Sequence, residues 1–392
     1  MLKTILNILA GRIILIPLAA ISTLIVSNAL GPANFGFVAS VVAISTFFSV
    51  TLLGPPSTLI LKKSSQIEDE STITIKQFYL FSGFMYFCFL ISLFFVEDSR
   101  ILNQEALILL ILTFFAGLNS FVANYFFYVK KMNFFNFHTV LPEVVFFIVI
   151  LTLITSLDYL SIKFVLFAWI IQTGFVCLLV LNRKEIISKH IFNKKYLKRD
   201  YISFFLLGFL NMGRERALIF IGPIAFPLNE IGKLAFYMMI ARVFISLNGT
   251  VSNLVMSQHS LFKRKPIIYK IWIISLLAVS FLFFCAIFLF NQTGFLMAFH
   301  ISFFQMIAMS TALLSSLIFS LYLRRIYVEY NLEKFSRHQT VITVIILVFA
   351  ILVKDIFDLF TIHMFITSSM ALSIGVYTIF KNEIKSDEKR VG

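Results

Sequence analysis

The stretch LGPANFG, residues 30–36, separates two apolar runs at the beginning of the chain. The runs on either side, about 5–28 and about 35–54, each match the roughly 20 apolar residues that a helix needs to cross a bilayer. Proline cannot continue a helix, and glycine adopts backbone angles that are closed to other residues, so Pro32 and Gly36 predict a chain reversal here. The stretch therefore predicts two membrane-spanning helices joined by a tight turn.

Long apolar runs and short polar loops alternate along the rest of the chain. Of the 392 residues, 59% are hydrophobic and 13% are charged, and the mean hydropathy is +0.94. A soluble core cannot bury this much apolar side chain, and the sequence lacks the alternating polarity of membrane-spanning strands. We predict an all-α polytopic membrane protein of about twelve transmembrane helices, at 5–28, 35–54, 77–96, 104–129, 139–157, 161–182, 202–225, 233–257, 268–290, 296–323, 339–353 and 356–380.

Lysine and arginine concentrate in alternate loops, and short loops rich in these residues stay in the cytoplasm. With the amino terminus inside, 25 of the 33 Lys and Arg residues fall in predicted cytoplasmic segments, four in outside loops and four within spans. The pattern predicts a multi-pass protein of the inner (cytoplasmic) membrane with both termini in the cytoplasm. Attraction to anionic membrane lipids explains the formal charge of +14, so nucleic-acid binding is not expected.

The chain contains an internal repeat. The first outside loop ends at Gly36, the loop FPLNEIG (226–232) ends at Gly232, and these glycines lie 196 residues apart, half of the chain length. The motif YVKK (128–131) ends the fourth span and YLRR (322–325) ends the tenth. Because six spans on each side share one orientation, we predict a parallel repeat related by an axis along the membrane normal. The predicted parts are an N-lobe (1–182), a basic cytoplasmic linker (183–200), a C-lobe (201–380) and a cytoplasmic tail (381–392).

Four arginines lie within the predicted spans, where each buried charge costs about 2.5–3.5 kcal/mol on insertion scales. Only Glu143 and Glu215 are available there to neutralise them, so an excess of positive charge remains. This excess predicts a cationic cavity that binds an anionic group, against the alternative of a purely structural charge network. The candidate binding residues are Arg216, Arg242, Arg214, Arg12 and Glu215. Helical spacing places Arg216 towards the lumen and Arg214 away from it.

Polar residues at four-residue spacing favour a hydrophilic lumen, although ordinary packing between helices would also explain them. The lumen-lining candidates are Asn211, Ser120, Asn124, Tyr128 and Asn248. The three cysteines show no C-x-x-C spacing, and the sequence has neither a nucleotide-binding G-x-x-x-x-G-K loop nor a nucleophile–base arrangement. We therefore predict no metal, no cofactor and no enzymatic activity, and we exclude an ATP-driven pump.

The opening sequence NILAGRIILIPLAAISTLIVSNALGPANFGFVAS (7–40) resembles the start of bacterial polysaccharide flippases. These O-antigen (O-unit) transporters belong to the multidrug/oligosaccharidyl-lipid/polysaccharide exporter (MOP) superfamily. The L-G-P-x-x-F-G hairpin carries most of the resemblance, and the Gly-ended hairpin between spans seven and eight is similar too. The resemblance implies a MOP-type flippase fold of two six-helix lobes.

The same resemblance implies the substrate and the partners. The substrate would be an undecaprenyl-pyrophosphate-linked oligosaccharide repeat unit, moved from the cytoplasmic to the periplasmic face by alternating access. It also implies cooperation with a polymerase and a chain-length regulator of polysaccharide assembly. Two alternatives remain: a cation-coupled multidrug exporter of the same superfamily, and a membrane-embedded polysaccharide polymerase or glycosyltransferase. Multidrug exporters are expected to use carboxylates in the first lobe, whereas polymerases usually need a large outside loop or a carboxylate cluster.

Overall fold

All of the regular structure described below is helical. The computed structural model describes residues 2–63, 132–157, 160–181, 226–257, 266–292, 297–329 and 332–391, with the single positions 111, 112, 115, 116, 119, 206, 218 and 219. Within these ranges there are eight α-helices, one 3-10 turn at Met297–Phe299, and no strand. The helices are α1 (Leu2–Lys63), α2 (Met132–Leu157), α3 (Ile162–Leu181), α4 (Leu228–Ser257), α5 (Pro266–Gln292), α6 (Phe303–Glu329), α7 (Leu332–Leu352) and α8 (Leu359–Val391).

Six of the described segments are long and apolar enough to cross a membrane. They are Pro17–Thr46, Asn136–Leu157, Ile274–Gln292, Phe303–Ser320, Phe335–Leu352 and Leu359–Tyr377. The prediction of a polytopic all-helical membrane protein is thereby confirmed. The predicted span 77–96, and all but a few positions of 104–129 and of 202–225, lie outside the described residues.

Several predicted span boundaries differ from the helix bounds, and the differences at the tenth and eleventh spans are the most informative. The tenth span was predicted to begin at 296, but the 3-10 turn comes first and α6 begins only at Phe303. Ser302 is the N-cap residue of α6, because its hydroxyl accepts a hydrogen bond from the backbone amide of Gln305 at 3.3 Å. The eleventh span was predicted at 339–353, whereas α7 begins at Leu332, so its polar first turns were missed.

The turn between the first two spans depends on Gly31, not on Gly36 as the sequence suggested. Gly31 interrupts α1 with φ 69° and ψ 168°, a combination that is essentially restricted to glycine. Pro32 follows it at the start of the next helical segment, where its missing N–H is not needed. Gly36 lies within helical backbone, and its lack of a side chain serves a different purpose, described below.

Apolar side chains cover the outside of the helices. Phe304 is 80% exposed, Leu352 72% and Leu372 71%. Many large apolar side chains exposed along several helices form a surface that suits the hydrocarbon layer of a membrane better than water. The exposed faces therefore agree with the multi-pass assignment.

The described helices divide into two compact units within α4, between Met239 and Ile240. In the first unit, α1 packs against α2 and α3, which also pack against each other. In the second unit, α6 packs against α5 and α8, and α7 packs against α8. The predicted division into lobes at 183–200 remains a prediction, since that segment lies outside the described residues.

Candidate functional site

The first turns of two helical segments meet at a pair of glycines. A Cβ atom added to Gly36 would lie 2.8 Å from the Gly232 nitrogen and would overlap the carbonyl oxygen of Leu228. A Cβ atom added to Gly232 would lie 3.0 Å from the Gly36 nitrogen and would overlap the carbonyl oxygen of Pro32. Only glycine permits this approach of the two backbones. We call this contact the glycine junction.

The sequence at the start of α4 resembles the start of the helical segment after Gly31. Pro227 directly precedes α4, and its carbonyl oxygen accepts hydrogen bonds from the Glu230 and Ile231 amides at 3.0 and 3.2 Å. Glu230 places a negative charge in the first turn, where the helix dipole favours it. Each of the two helical segments therefore has a proline at its start and a glycine about one turn later, which is the spacing from which the sequence predicts the repeat.

A carboxylate lies in the described membrane spans of the first unit. Glu143 on α2 is half-buried, and the buried Gln172 on α3 donates a hydrogen bond from Nε2 to Glu143 Oε1 at 3.4 Å. An ionisable residue within the membrane is costly and is by default a candidate functional group. The sequence analysis identified Glu143 only as a counter-charge for arginine and missed Gln172. A buried amide one span away gives no signal in the sequence alone.

Asn248 on α4 is the one lumen-lining candidate whose side chain the structure describes. It is buried, and its Nδ2 donates a hydrogen bond to the Leu317 carbonyl oxygen on α6 at 3.0 Å. Its Oδ1 has no hydrogen-bond partner among the described atoms. The hydrogen bond from Asn248 Nδ2 therefore joins α4 to α6, which is what ordinary packing between helices would give. Asn248 Oδ1 can still accept a hydrogen bond.

The remaining predicted site residues are not brought together by the described part of the structure. Arg12 lies on α1 and Arg242 on α4, but the description of these two positions stops at the backbone. The other candidates lie outside the described residues: Arg214, Glu215, Arg216, Asn211, Ser120, Asn124 and Tyr128. The cationic cavity therefore stays a prediction.

Within the described residues, no three His, Cys, Asp or Glu side chains are arranged to hold a metal ion. Cys285, the cysteine whose side chain is described, is a free thiol on α5.

The chain resembles solved membrane transporters along nearly its whole length. No protein-family model and no curated protein matches it. A MOP superfamily transporter from Pyrococcus furiosus Vc1 matches with a TM-score of 0.63 at 13% identity, covering 99% of this chain and 96% of that one. An outward-facing multidrug resistance MATE family transporter of the MOP superfamily matches with a TM-score of 0.58 at 12% identity, covering 99% and 96%. The eukaryotic MATE transporter AtDTX14 matches with a TM-score of 0.55 at 11% identity, covering 100% and 98%.

At these identities the likeness concerns the fold alone. This chain has the fold of the MOP-superfamily transporters, as the hairpin resemblance implied. The narrower assignment to the O-antigen flippases does not follow from these neighbours, which include multidrug transporters.

Proposed function

We propose that this protein is a transporter that moves amphiphilic molecules across the cytoplasmic membrane by alternating access. The observation that carries the proposal is the match to MOP-superfamily transporters over 99% of this chain and 96% of the neighbour. A match along nearly the whole of both chains favours a transporter over a polymerase or glycosyltransferase. Two substrate classes fit this proposal, and each has its own support.

Cation-coupled multidrug export is the class that the structural neighbours favour. The solved relatives include a multidrug resistance MATE family transporter in both an outward-facing and an inward-facing conformation. The first predicted span, 5–28, contains no Asp or Glu, which by itself argues against this class. Glu143, held by Gln172 in the first unit, supplies a membrane-embedded carboxylate that such coupling would need.

Flipping of a lipid-linked oligosaccharide is the class that the arginines favour. Arg12, Arg214, Arg216 and Arg242 outnumber the acids of the predicted spans. Arginine binds phosphate oxygens with two parallel hydrogen bonds, which suits the pyrophosphate of an undecaprenyl-linked unit. The head group and sugars would pass through the lumen while the polyprenyl tail stays in lipid. The MOP superfamily transporter from Pyrococcus furiosus has a binding pocket of reverse polarity that suggests a different function for that protein.

A strain that lacks this protein distinguishes the two classes when wild-type and variant genes are returned to it. If the protein is a flippase, Arg216→Ala and Arg242→Ala stop surface polysaccharide from appearing, and lipid-linked units accumulate on the cytoplasmic leaflet. Lysine at these positions restores only part of the activity, because a point charge lacks the two-pronged geometry. If it is a multidrug exporter, the deletion slows efflux of cationic dyes and leaves the polysaccharide unchanged. A deletion that changes neither contradicts the proposal.

The membrane orientation is tested separately by reporter fusions. We expect residues 183–200 and 259–270 in the cytoplasm, and 97–103 and 291–295 outside. A reproducible reversal at any of these sites contradicts the predicted topology with both termini inside.

A further inference from the structure

The glycine junction is reciprocal. Gly36 approaches the carbonyl oxygen of Leu228, which lies four residues before Gly232, and Gly232 approaches that of Pro32, which lies four residues before Gly36. Such reciprocal contacts arise where a two-fold axis relates two copies of the same element, because each copy then makes the same contact with the other. The junction is therefore the contact expected at the axis of the predicted parallel repeat.

The position of the junction relates it to the outer surface. Both glycines follow loops that the lysine and arginine pattern places outside, and each lies about one turn into its helix. One glycine belongs to the predicted first half of the repeat and the other to the second half. If the predicted lumen runs between the two halves, this contact lies at its outer end.

We propose that the glycine junction is the outer gate of the transporter, closed in this conformation, and that it must part for the substrate to leave on the outer side. The inference rests on the proposed transport function. It assigns Gly36 and Gly232 a conformational role that differs from the turn role suggested by the sequence.

The chemistry of the junction suits a contact that opens and closes repeatedly. Glycine backbones approach through Cα–H to carbonyl contacts, which are worth only about 0.5–1 kcal/mol each. About two helical turns before Gly31, the Thr23 hydroxyl donates a weak hydrogen bond to Met239 Sδ at 3.9 Å. Parting such contacts exposes neither a charge nor a strong hydrogen bond to the membrane, so the energetic barrier from the junction itself is small.

The first experiment locks the junction by cross-linking. Thr23→Cys and Met239→Cys are combined in a protein whose native Cys88, Cys177 and Cys285 are replaced by serine, and a short bifunctional methanethiosulfonate is added. We expect cross-linking to stop transport of whichever substrate the deletion assay identifies, and reduction to restore it. The control pair is Ser315→Cys with Ser368→Cys, whose hydroxyl oxygens lie 3.0 Å apart between α6 and α8, and whose cross-linking leaves transport unchanged.

The second experiment forces the junction apart and needs no transported substrate. In Gly36→Ala or Gly232→Ala the new methyl group overlaps the opposing backbone. A single cysteine at position 23 then reacts faster with a membrane-impermeant maleimide added outside intact cells. We expect about a tenfold rise, which corresponds to a shift of about 1.4 kcal/mol towards the open state. Gly375→Ala is the control, because no atom lies within 4 Å of its added Cβ, and it leaves the labelling rate unchanged.

The two experiments separate failure of the gate from failure of the transport proposal. Full cross-linking at positions 23 and 239 with undiminished transport shows a fixed contact and overturns the gate, while transport itself stands. Unchanged labelling in both alanine variants, each inserted at normal abundance, also overturns it. If the cysteines at positions 23 and 239 cannot be cross-linked, the maleimide labelling rates of the alanine variants alone test the gate. Faster labelling in the alanine variants of a protein that transports neither substrate class supports a moving junction and contradicts the proposed function.

Discussion

Two polar contacts, one in each predicted half of the chain, join neighbouring helices and differ in charge. Glu143 on α2 accepts a hydrogen bond from Gln172 on α3 at 3.4 Å, and Gln339 on α7 accepts one from Ser373 on α8 at 2.9 Å. Position 339 is 196 residues after position 143, the same offset that separates Gly36 from Gly232. The first half therefore has an ionisable group where the second half has a neutral amide.

The difference suggests that the two halves share a framework but not a role. A neutral side chain that joins two membrane helices stabilises packing, and such bonds average about 0.6 kcal/mol in bacteriorhodopsin. A carboxylate costs more to keep in a membrane and can exchange a proton or bind a cation. If the protein is the cation-coupled exporter of the first substrate class, Glu143 is the candidate coupling group and Gln339 has a structural role.

Glu143→Gln has the largest expected effect, because it replaces the carboxylate by the neutral amide that the second half has at position 339. If Glu143 carries one proton per cycle, the variant loses about 2.3 kcal/mol of driving force per 100 mV, or roughly 40-fold in the attainable gradient. The measurement is substrate accumulation in inverted vesicles at a fixed proton gradient. Because glutamine keeps the shape and the oxygen acceptor, we expect normal abundance. Full accumulation by the variant contradicts a coupling role.

Gln172→Leu tests the hydrogen bond itself, because it removes the Gln172 Nε2 donor and leaves the Glu143 carboxylate in place. Hydrogen bonds to charged groups contribute about 1.5–3 kcal/mol, so we expect a lower melting temperature of the purified protein. Transport per molecule also falls, because Glu143 is no longer held in place. The double variant with Glu143→Gln serves as a control, in which the effect on melting is smaller than the sum of the two single effects. Additive effects contradict a direct interaction.

Ser373→Ala tests the neutral contact and has the smallest expected effect. It leaves Gln339 Oε1 without the hydroxyl donor, at a cost of about 1 kcal/mol in the free energy of unfolding. Gln339→Met costs less, because Gln339 Nε2 already has no hydrogen-bond partner among the described atoms, and Ser373 still donates to the Met370 carbonyl oxygen at 2.8 Å. Neither variant changes transport per molecule. A selective loss of transport in either one contradicts the structural role of Gln339.

The sequence predicted the class of fold because apolar run length and loop charge follow from the membrane itself. It also predicted that Gly36 and Gly232 are equivalent, since the two hairpins preserve spacing even where identity is slight. It did not predict that they touch, nor that Gly31 makes the turn. Both facts depend on backbone angles and on contacts between segments almost 200 residues apart. The sequence did not predict that Gln172 contacts Glu143 either. The residues around Gln172 in the sequence do not distinguish it from an amide that serves only packing.

The most direct test of a cavity with alternating access is the accessibility of position 216 from both sides of the membrane. Arg216→Cys is made in the protein without native cysteines and treated with a membrane-impermeant maleimide, in intact cells and in inverted vesicles. Arg214→Cys is the matched control, two residues away and about 160° around the helix that the sequence predicts there. We expect labelling of position 216 from both faces and little labelling of position 214 from either. Labelling of position 216 from one face only, or equal labelling of both positions, would contradict it.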